Sequence, residues 1–178
     1  KDSFSALSFM NGVQNSPLNR YFQVKDAVVV FNTFVNNKNS FEIGVGKNEE
    51  LSLPPINSTI AYNVVYSTKG KLVKFIDVPK NFLWKENIFY GSELGADILD
   101  GVINNNPEFH LSEGLYRPNY DRLSKVNLDN SINYIHEDID GQTRCELKYI
   151  GCDEPNNELS RNRIMSKDNT GPNWKRNN

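Results

Sequence analysis

Residues able to do acid–base chemistry are few in this chain and lie far apart. Histidine occurs only at His110 and His136, whereas asparagine occurs 26 times among 178 residues. Asparagine cannot act as a general acid or base, and it favours turns and exposed hydrogen bonds. His136 precedes Glu137 and Asp138, but neighbouring residues of a strand point to opposite faces and would not share a site. We therefore predict that the protein is not an enzyme and has no catalytic residue.

Acidic residues near His136 match metal-binding sequences only in part. Residues 138–141 read like the start of an EF-hand calcium loop, but its twelfth position would be Tyr149, which cannot supply a bidentate carboxylate. An irregular calcium site built from Glu137, Asp138 and Asp140 is the alternative to an acidic hairpin turn. The chain contains no phosphate-binding glycine loop and no nucleophile motif. We therefore predict no bound metal and no cofactor.

The two cysteines indicate an oxidising compartment. Cys145 and Cys152 are the only cysteines of the chain, and a bend at Gly151 would let them form a disulfide. Such a pair is typical of extracellular, periplasmic or cell-surface proteins, whereas free thiols in a cytosolic protein are the alternative. No apolar run reaches the roughly 18 residues that a membrane span needs. We predict a disulfide, an exported protein and no membrane span.

Aromatic and arginine residues in predicted loops are the candidate binding residues. Tyr116, Arg117 and Tyr120 fall within one predicted loop, and residues of these types are enriched in recognition surfaces. The alternative is a loop anchored by its own tyrosines. Trp174 lies in a polar tail, where a large apolar ring needs a surface to dock on. We predict that these four residues bind a partner.

The charge distribution separates a body from a tail. The formal net charge is −2, so nucleic acid is not an expected partner. Residues 161–178 carry five cations and one anion, a net +4, which leaves −6 on residues 1–160. The apolar pattern also fades after residue 155. We predict a single domain over residues 1–155 and a basic, mobile tail over residues 156–178.

Helices are expected in the N-terminal part of the chain. Residues 2–13 and 17–35 have apolar residues at helical spacing, and Ser16-Pro17 resembles a helix start. The run of valines after Ala27 favours a strand instead, so a buried strand over residues 27–35 is the alternative. Residues 92–103 also show helical spacing.

The remaining pattern is extended and predicts an antiparallel sheet. Residues 41–45 alternate between apolar and small or polar side chains, and residues 59–68 and 71–78 predict a hairpin around Lys69-Gly70. Residues 131–135 and 143–150 predict a second hairpin. The expected fold is α+β, with one or two N-terminal helices packed on an antiparallel sheet. An all-β sandwich is the alternative.

Two segments resemble type IV pilins and pseudopilins. Arg20–Phe31 is similar to the exposed half of their long first helix, and Ile132–Ile139 followed by Cys145 is similar to their late strand before a cysteine. The resemblance implies a helix on a small antiparallel sheet, a disulfide that pins the C-terminal region, and assembly into a filament or oligomer through protein contacts. It predicts a non-enzymatic, secreted or cell-surface structural subunit. The alternative is a β-sandwich binding or toxin-like module that recognises a glycan, a lipid or a host protein.

Overall fold

The computed structural model describes residues 3–96, 99–128 and 132–155, together with residues 162, 165 and 170. These residues form β-strands and one 3-10 turn, and no α-helix occurs among them. The first nine strands are Ser5–Met10 (β1), Val28–Val30 (β2), Thr33–Val35 (β3), Asn39–Val45 (β4), Thr59–Ala61 (β5), Val64–Phe75 (β6), Leu83–Lys85 (β7), Asn87–Glu93 (β8) and Val102–Asn104 (β9). The later elements are His110–Ser112 (β10), Leu115–Arg117 (β11), the 3-10 turn Tyr120–Arg122, Lys125–Val126 (β12) and Lys148–Tyr149 (β13).

Strands β1 to β9 stack in parallel and form three faces of a coil. The first sheet contains β2, β5 and β7. The second contains β3, the start of β6, β8 and β9, and the third contains β1, β4 and the end of β6. In the second sheet Thr33 pairs with Val64 and Val64 with Ile88, so each strand pairs with the strand one coil later. This arrangement is a parallel β-helix.

An asparagine ladder marks the corner between the first and second sheets. The side-chain amide of Asn32 donates to Oδ1 of Asn63 at 3.1 Å, and that of Asn63 donates to Oδ1 of Asn87 at 2.9 Å. The residue before each of them has a positive φ: Phe31, Tyr62 and Glu86. An uncharged amide carries both a donor and an acceptor, so it can continue a buried ladder from one coil to the next. Several of the many asparagines therefore build the coil itself.

Alternate residues of the strands fill the interior of the coil. Val65 points inward, whereas its neighbour Val64 points outward, which is the two-residue period of a strand. The rings of Phe41 and Phe89 stack in the interior at 6.0 Å, and Trp84 meets both edge-on. The buried residues of this inner core are Phe9, Phe41, Ile43, Ile60, Val65, Leu72, Val73 and Phe89.

A second core lies outside the coil, where residues 107–155 (the C-terminal segment) pack on it. Leu123, Val126, Ile132 and Ile150 of this segment pack with outward-facing residues of the coil: Phe31, Ala61, Tyr62, Val64 and Ile88. Strands β12 and β13 pair antiparallel beneath this contact. The second sheet is therefore covered on its outer face, which explains why its strands are apolar on both sides.

The predicted α+β fold is wrong, and so is the antiparallel sandwich. Where helices were expected, the chain forms strand β1 in the first segment and strands β2 and β3 in the second. The β-branched run Val28–Val30 prevails over helical spacing because it packs well on a pleated surface. The third expected helix, over residues 92–103, is also not formed by the described residues, which contain the end of β8 and all of β9.

Both predicted hairpins are also replaced by other pairings. Residues 64–75 form the single strand β6, and Lys69-Gly70 is an irregularity within it rather than a turn. Of the second hairpin the described residues keep contacts near the turn, the bridge between Glu137 and Thr143 and the backbone hydrogen bonds from Arg144 to His136 and from Asp138 to Gln142, whereas β13 pairs with β12. Alternation of apolar residues identifies strands but does not say which strand is the partner.

The other structural predictions have separate outcomes. Cys145 and Cys152 are free thiols, so the predicted disulfide is not formed. No helix among the described residues is long and apolar enough to cross a membrane. Most of residues 156–178 lies outside the described residues, so the boundary at residue 155 and the mobile tail stay predictions.

Candidate functional site

Titratable side chains converge in a cleft of the C-terminal segment. The cleft has a volume of about 600 Å³ and lies between the β10–β11 hairpin and residues 140–155. Its lining includes His110, Glu113, Arg117, Tyr120, Asp140 and Asp153. The hairpin carries His110 and Arg117 as paired residues at its open end, and the following 3-10 turn carries Tyr120. Two of the predicted binding residues, Arg117 and Tyr120, therefore lie at one site.

Arg117 connects the hairpin to two aspartates. Its guanidinium contacts Oδ2 of Asp140 and Oδ1 of Asp153, each at 2.7 Å. Burial by itself would lower the pKa of Arg117, but the two aspartates more than offset this, so the pKa of Arg117 is raised. The planar guanidinium suits such paired contacts, and it remains charged. Its positive charge is therefore already matched by carboxylates of the chain.

Tyr120 is held as a hydrogen-bond donor. Its hydroxyl donates to Oδ2 of Asp153 at 2.5 Å. Burial, and then the hydrogen bond to Asp153, raises the pKa of Tyr120 well above its ordinary value. Tyr120 therefore keeps its proton at neutral pH and helps to fix Asp153 beside Arg117.

The acidic residues of the predicted turn do form a turn. The Oδ1 atom of Asp138 accepts hydrogen bonds from the backbone N–H groups of Asp140 and Gln142, both at 2.9 Å. Its Oδ2 atom accepts from the backbone N–H of Glu154 at 3.2 Å. Carboxylate oxygens of Asp138, Asp140 and Asp153 lie within 4.8 Å of one another, a spacing that could hold a cation. The guanidinium of Arg117 already bridges the carboxylates of Asp140 and Asp153. The three aspartates therefore serve to hold the C-terminal segment together.

A second ion pair lies behind the cleft. Arg144 donates to Oε1 of Glu154 at 2.9 Å, and both side chains are buried. The guanidinium also lies 4.7 Å from the ring centroid of Phe31, on the outer core. Burial raises the pKa of Glu154, and the charge of Arg144 opposes this rise. This pair ties residues 144–154 to the coil rather than facing a ligand.

A row of aromatic side chains runs along the outer face of the second sheet, beside the C-terminal segment. Tyr66 and Tyr90 are paired residues of β6 and β8, and their rings stack at 6.2 Å with an angle of 16° between planes. Phe109 meets Tyr66 edge-on at 5.6 Å, and Tyr116 meets Phe109 at 6.2 Å. The predicted binding residue Tyr116 thus ends this row, and it does not share the cleft with Arg117.

Sequence reasoning grouped some of these residues and missed others. Tyr116, Arg117 and Tyr120 were predicted together, although only the last two share the cleft. Trp174 lies outside the described residues. The missed partners are Asp153, which follows a cysteine, and the pair Tyr66 and Tyr90. Tyr66 and Tyr90 are 24 residues apart in the sequence, and so are Asn63 and Asn87. This shared spacing is the sequence signal that could have identified the pairing of strands from successive coils.

Comparison with known proteins places the coil in a family. A family model described as Chondroitinase B matches residues 1–134. Among solved structures, the PL6 family alginate lyase AlyGC is 29% identical with a TM-score of 0.54, covering 62% of this chain and 15% of that one. A mutant of the same lyase is 30% identical over the same shares, with a TM-score of 0.54. The chain thus spans 15% of the length of these lyases. No curated protein matches.

These findings overturn the predicted identity. The resemblance to type IV pilins is wrong, because the segment compared with a pilin helix forms strands of a β-helix. The predictions of a structural, fimbrial subunit and of a protein that is not an enzyme are wrong as well, because the matching family and structures are named as lyases or chondroitinases. The family model covers well over half of the sequence, including every strand of the coil. The chain belongs to the chondroitinase B family.

Proposed function

We propose that the chain contributes coils to the β-helix of a lyase that cleaves an acidic polysaccharide. The observation that carries this proposal is the match of the Chondroitinase B family model to residues 1–134, the part of the chain that forms the coil. Chondroitin and alginate, the polymers in the names of the relatives, both contain sugars with carboxylate groups. A carboxylated polymer is therefore the substrate class that the relatives have in common.

A lyase breaks such a polymer by elimination. A base removes the proton next to the sugar carboxylate, the glycosidic C–O bond breaks, and its electron pair and a proton end on the leaving oxygen. A carbon–carbon double bond forms in the sugar that loses the proton. The reaction needs a group that stabilises charge on the carboxylate, together with a proton acceptor and a proton donor.

The cleft at Arg117 is poorly suited to hold the polymer. Glu113, Asp140, Asp153 and Glu154 line it; Glu154 is paired with Arg144, and the positive charge of Arg117 is engaged by Asp140 and Asp153. A polymer of carboxylated sugars would meet net negative charge there. Arg117 and Tyr120 therefore act as positioning residues that hold the β10–β11 hairpin against residues 140–153 within the C-terminal segment. We assign the role of binding the polymer to the coil.

The proposal also changes the expected partner and retains the expected compartment. The partner is a polysaccharide rather than the protein of a filament. Because such polymers lie outside the cytoplasm, we propose export to the periplasm, the cell surface or the extracellular space. The predicted contribution of Trp174 to binding is kept as a prediction for the same polymer.

Binding and cleavage assays test the proposed function. The protein is incubated with alginate, with chondroitin sulfate and with neutral dextran, and product is followed through the ultraviolet absorbance of the new double bond. Affinity electrophoresis on the same polymers measures binding. We expect binding to at least one acidic polymer, no interaction with dextran, and the new double bond in any product that forms. A folded protein that neither binds nor cleaves either acidic polymer would contradict the proposal, and so would cleavage products without the double bond.

A further inference from the structure

The chain returns to the cleft of the C-terminal segment after leaving it. Pro155 lines this cleft, and so does Asp140. Asn162 donates from its backbone N–H to the carbonyl oxygen of Asp140 at 3.1 Å, and from its side-chain amide to the carbonyl oxygen of Ile139 at 2.9 Å. Both residues that flank the interval 156–161 therefore lie at the cleft.

The cleft carries more carboxylates than Arg117 can match. If the charge of Arg117 is assigned to Asp140, the charge of Asp153 remains. The neighbouring carboxylate of Asp138 accepts hydrogen bonds from uncharged backbone N–H groups. Glu113 adds an exposed carboxylate at the turn of the hairpin. An excess of three negative charges is left, on Asp138, Asp153 and Glu113, and it favours a cationic occupant.

Glu154 contributes a buried acceptor to the same cleft. It is 2% exposed, it lines the cleft, and its Oε1 atom is paired with Arg144. No donor among the described residues meets its Oε2 atom. Because buried acceptors are normally hydrogen-bonded, the cleft can use a further donor as well as a further positive charge.

The tail, residues 156–178, has the matching charge. Residues 161–178 carry a net charge of +4, and Arg161 and Arg163 are the sequence neighbours of Asn162. Consecutive Cα atoms are about 3.8 Å apart. A contact that fixes Asn162 beside Asp140 therefore brings two guanidinium groups within reach of the carboxylates, which they suit as paired hydrogen-bond donors.

We propose that the acidic cleft is the docking site of this chain's own basic tail, with Arg161 and Arg163 facing the carboxylates of the cleft. The hydrogen bonds of Asn162 fix the position of the tail, and the arginines supply the charge. A docked tail thus replaces the mobile tail expected from the sequence. The inference does not depend on the proposed function, but it agrees with it: arginines engaged in the cleft leave binding of the acidic polymer to the coil.

Charge variants of the tail in the full chain test this docking. The double variant Arg161→Gln, Arg163→Gln removes the two positive charges next to Asn162. The double variant Lys175→Gln, Arg176→Gln removes the same charge near the end of the sequence and is the matched control. Far-ultraviolet circular dichroism confirms that each variant is folded.

A second pair of variants tests the cleft. Glu113→Gln removes an exposed carboxylate of the lining. Glu146→Gln removes an exposed carboxylate elsewhere on the C-terminal segment and is the control. Both substitutions keep the size of the side chain and change its charge by one.

The measurement is hydrogen exchange of residues 156–165, followed by mass spectrometry at low and at high salt. We expect the wild-type tail to be protected at low salt, and the arginine double variant to lose about tenfold of that protection, as loss of a hydrogen bond to a charged group does. Glu113→Gln should reduce the protection by a smaller factor, both controls should match the wild type, and high salt should weaken the protection.

Three results would overturn the docking. The first is a wild-type tail that exchanges as fast as an unfolded chain, or one whose protection the arginine double variant lowers no more than its control does. The second is protection that rises with protein concentration, which would assign the tail to the cleft of a second copy. The third is protection that appears only when alginate is added, which would make the polymer the partner of the tail.

Discussion

At the scale of single residues, the asparagines separate into buried and exposed sets with different roles. Asn63 and Asn87 are fully buried in the ladder, and Asn63 also accepts a hydrogen bond from the backbone N–H of Asn32 at 2.9 Å. Exposed asparagines such as Asn57 and Asn81 instead occupy turn positions with positive φ. The same residue type thus supplies internal hydrogen bonds at one corner and turn conformations at another.

Replacing the central rung of the ladder should lower stability. Asn63→Ala removes the acceptor of the Asn32 backbone N–H and the amide that donates to the carbonyl of Val29, whereas Asn87 keeps its bond from the backbone N–H of residue 63. A buried polar group without a partner costs about 1–3 kcal/mol, so we expect a loss of at least that size. Urea unfolding followed by circular dichroism measures it. The control Asn19→Ala, at an exposed turn, should change stability by less than about 0.5 kcal/mol. Equal effects of the two substitutions would contradict the structural role of the ladder.

Asp77 should make stability depend on pH in acid. Hydrogen bonds from Lys47 at 2.7 Å and from Asn11 at 2.9 Å lower the pKa of Asp77. Because the folded protein then holds the proton less tightly than the unfolded chain, ionised Asp77 stabilises the fold at neutral pH. That contribution is lost as the pH falls below about 4.

The variant Asp77→Asn isolates this effect. It should be less stable than the wild type at neutral pH, and the difference should shrink as the solution is acidified through pH 4 to pH 2. Urea unfolding over this range measures the difference, and Asp100→Asn, at an exposed carboxylate, is the control. A difference between wild type and Asp77→Asn that stays constant with pH would show that the charge of Asp77 is not the cause.

At the scale of elements, ion pairs hold the C-terminal segment together, and the contact of Arg144 with the ring of Phe31 connects it to the coil. The β10–β11 hairpin is connected through Arg117 to residues 140 and 153, and Arg144 joins Glu154 next to Phe31. These contacts join parts of the segment that are far apart in the sequence. The short strands of this segment, two or three residues long, could not supply that stability by backbone pairing alone.

Removing Arg117 should therefore destabilise the whole segment. Arg117→Met removes the guanidinium partner of the poorly exposed carboxylates of Asp140 and Asp153, and breaking such a pair costs about 3–5 kcal/mol. Urea unfolding gives the loss, and hydrogen exchange at Ile150 reports local opening of the segment. The matched control Arg122→Met breaks an exposed pair with Glu108 and should cost no more than about 1 kcal/mol.

A compensating variant separates charge from packing. Adding Asp140→Asn and Asp153→Asn to Arg117→Met removes the uncompensated charges and should restore part of the lost stability. If the triple variant is no more stable than Arg117→Met, the ion pairs are not what Arg117 contributes. If Arg117→Met itself costs no more than Arg122→Met, the assigned role of Arg117 is wrong.

At the scale of the whole molecule, the inner and outer cores share the strands of the second sheet. Val65 belongs to one core and Val64 to the other, so β6 couples them directly. A substitution that loosens the packing of one core should therefore also destabilise the other core, because both cores contain residues of β6. This coupling is what the prediction of one domain over residues 1–155 requires.

Paired core substitutions test that prediction. Ile60→Ala opens the inner core and Ile150→Ala the outer core, and both residues are fully buried. Each should cost about 2–5 kcal/mol and shift one common unfolding transition. Calorimetry and circular dichroism should report coincident transitions for both variants. A separate early transition in Ile150→Ala alone would show that the C-terminal segment unfolds independently and that residues 1–155 are not one cooperative unit.

The sequence by itself indicated some of the extended segments and one of the turns, although three segments expected to be helical contain strands. The alternation at residues 41–45 predicted strand β4, the valines before Phe31 marked a strand against the helical spacing around them, and the acidic turn at Asp138 formed as expected. It also placed Arg117 and Tyr120 together, because they are close in the chain. These are local properties, since backbone preferences and short-range hydrogen bonds depend on a few neighbouring residues.

Only the tertiary structure decided which strands pair and therefore what the protein is. Partners in this coil, such as Val64 and Ile88, lie a full coil apart, and turns of unequal length hide the repeat. A strand that is apolar on both faces satisfies an antiparallel hairpin and a parallel coil equally well, so local pattern could not choose between them. The same long-range pairing brings Tyr66 to Tyr90, and the packing of the C-terminal segment brings Asp153 to Arg117.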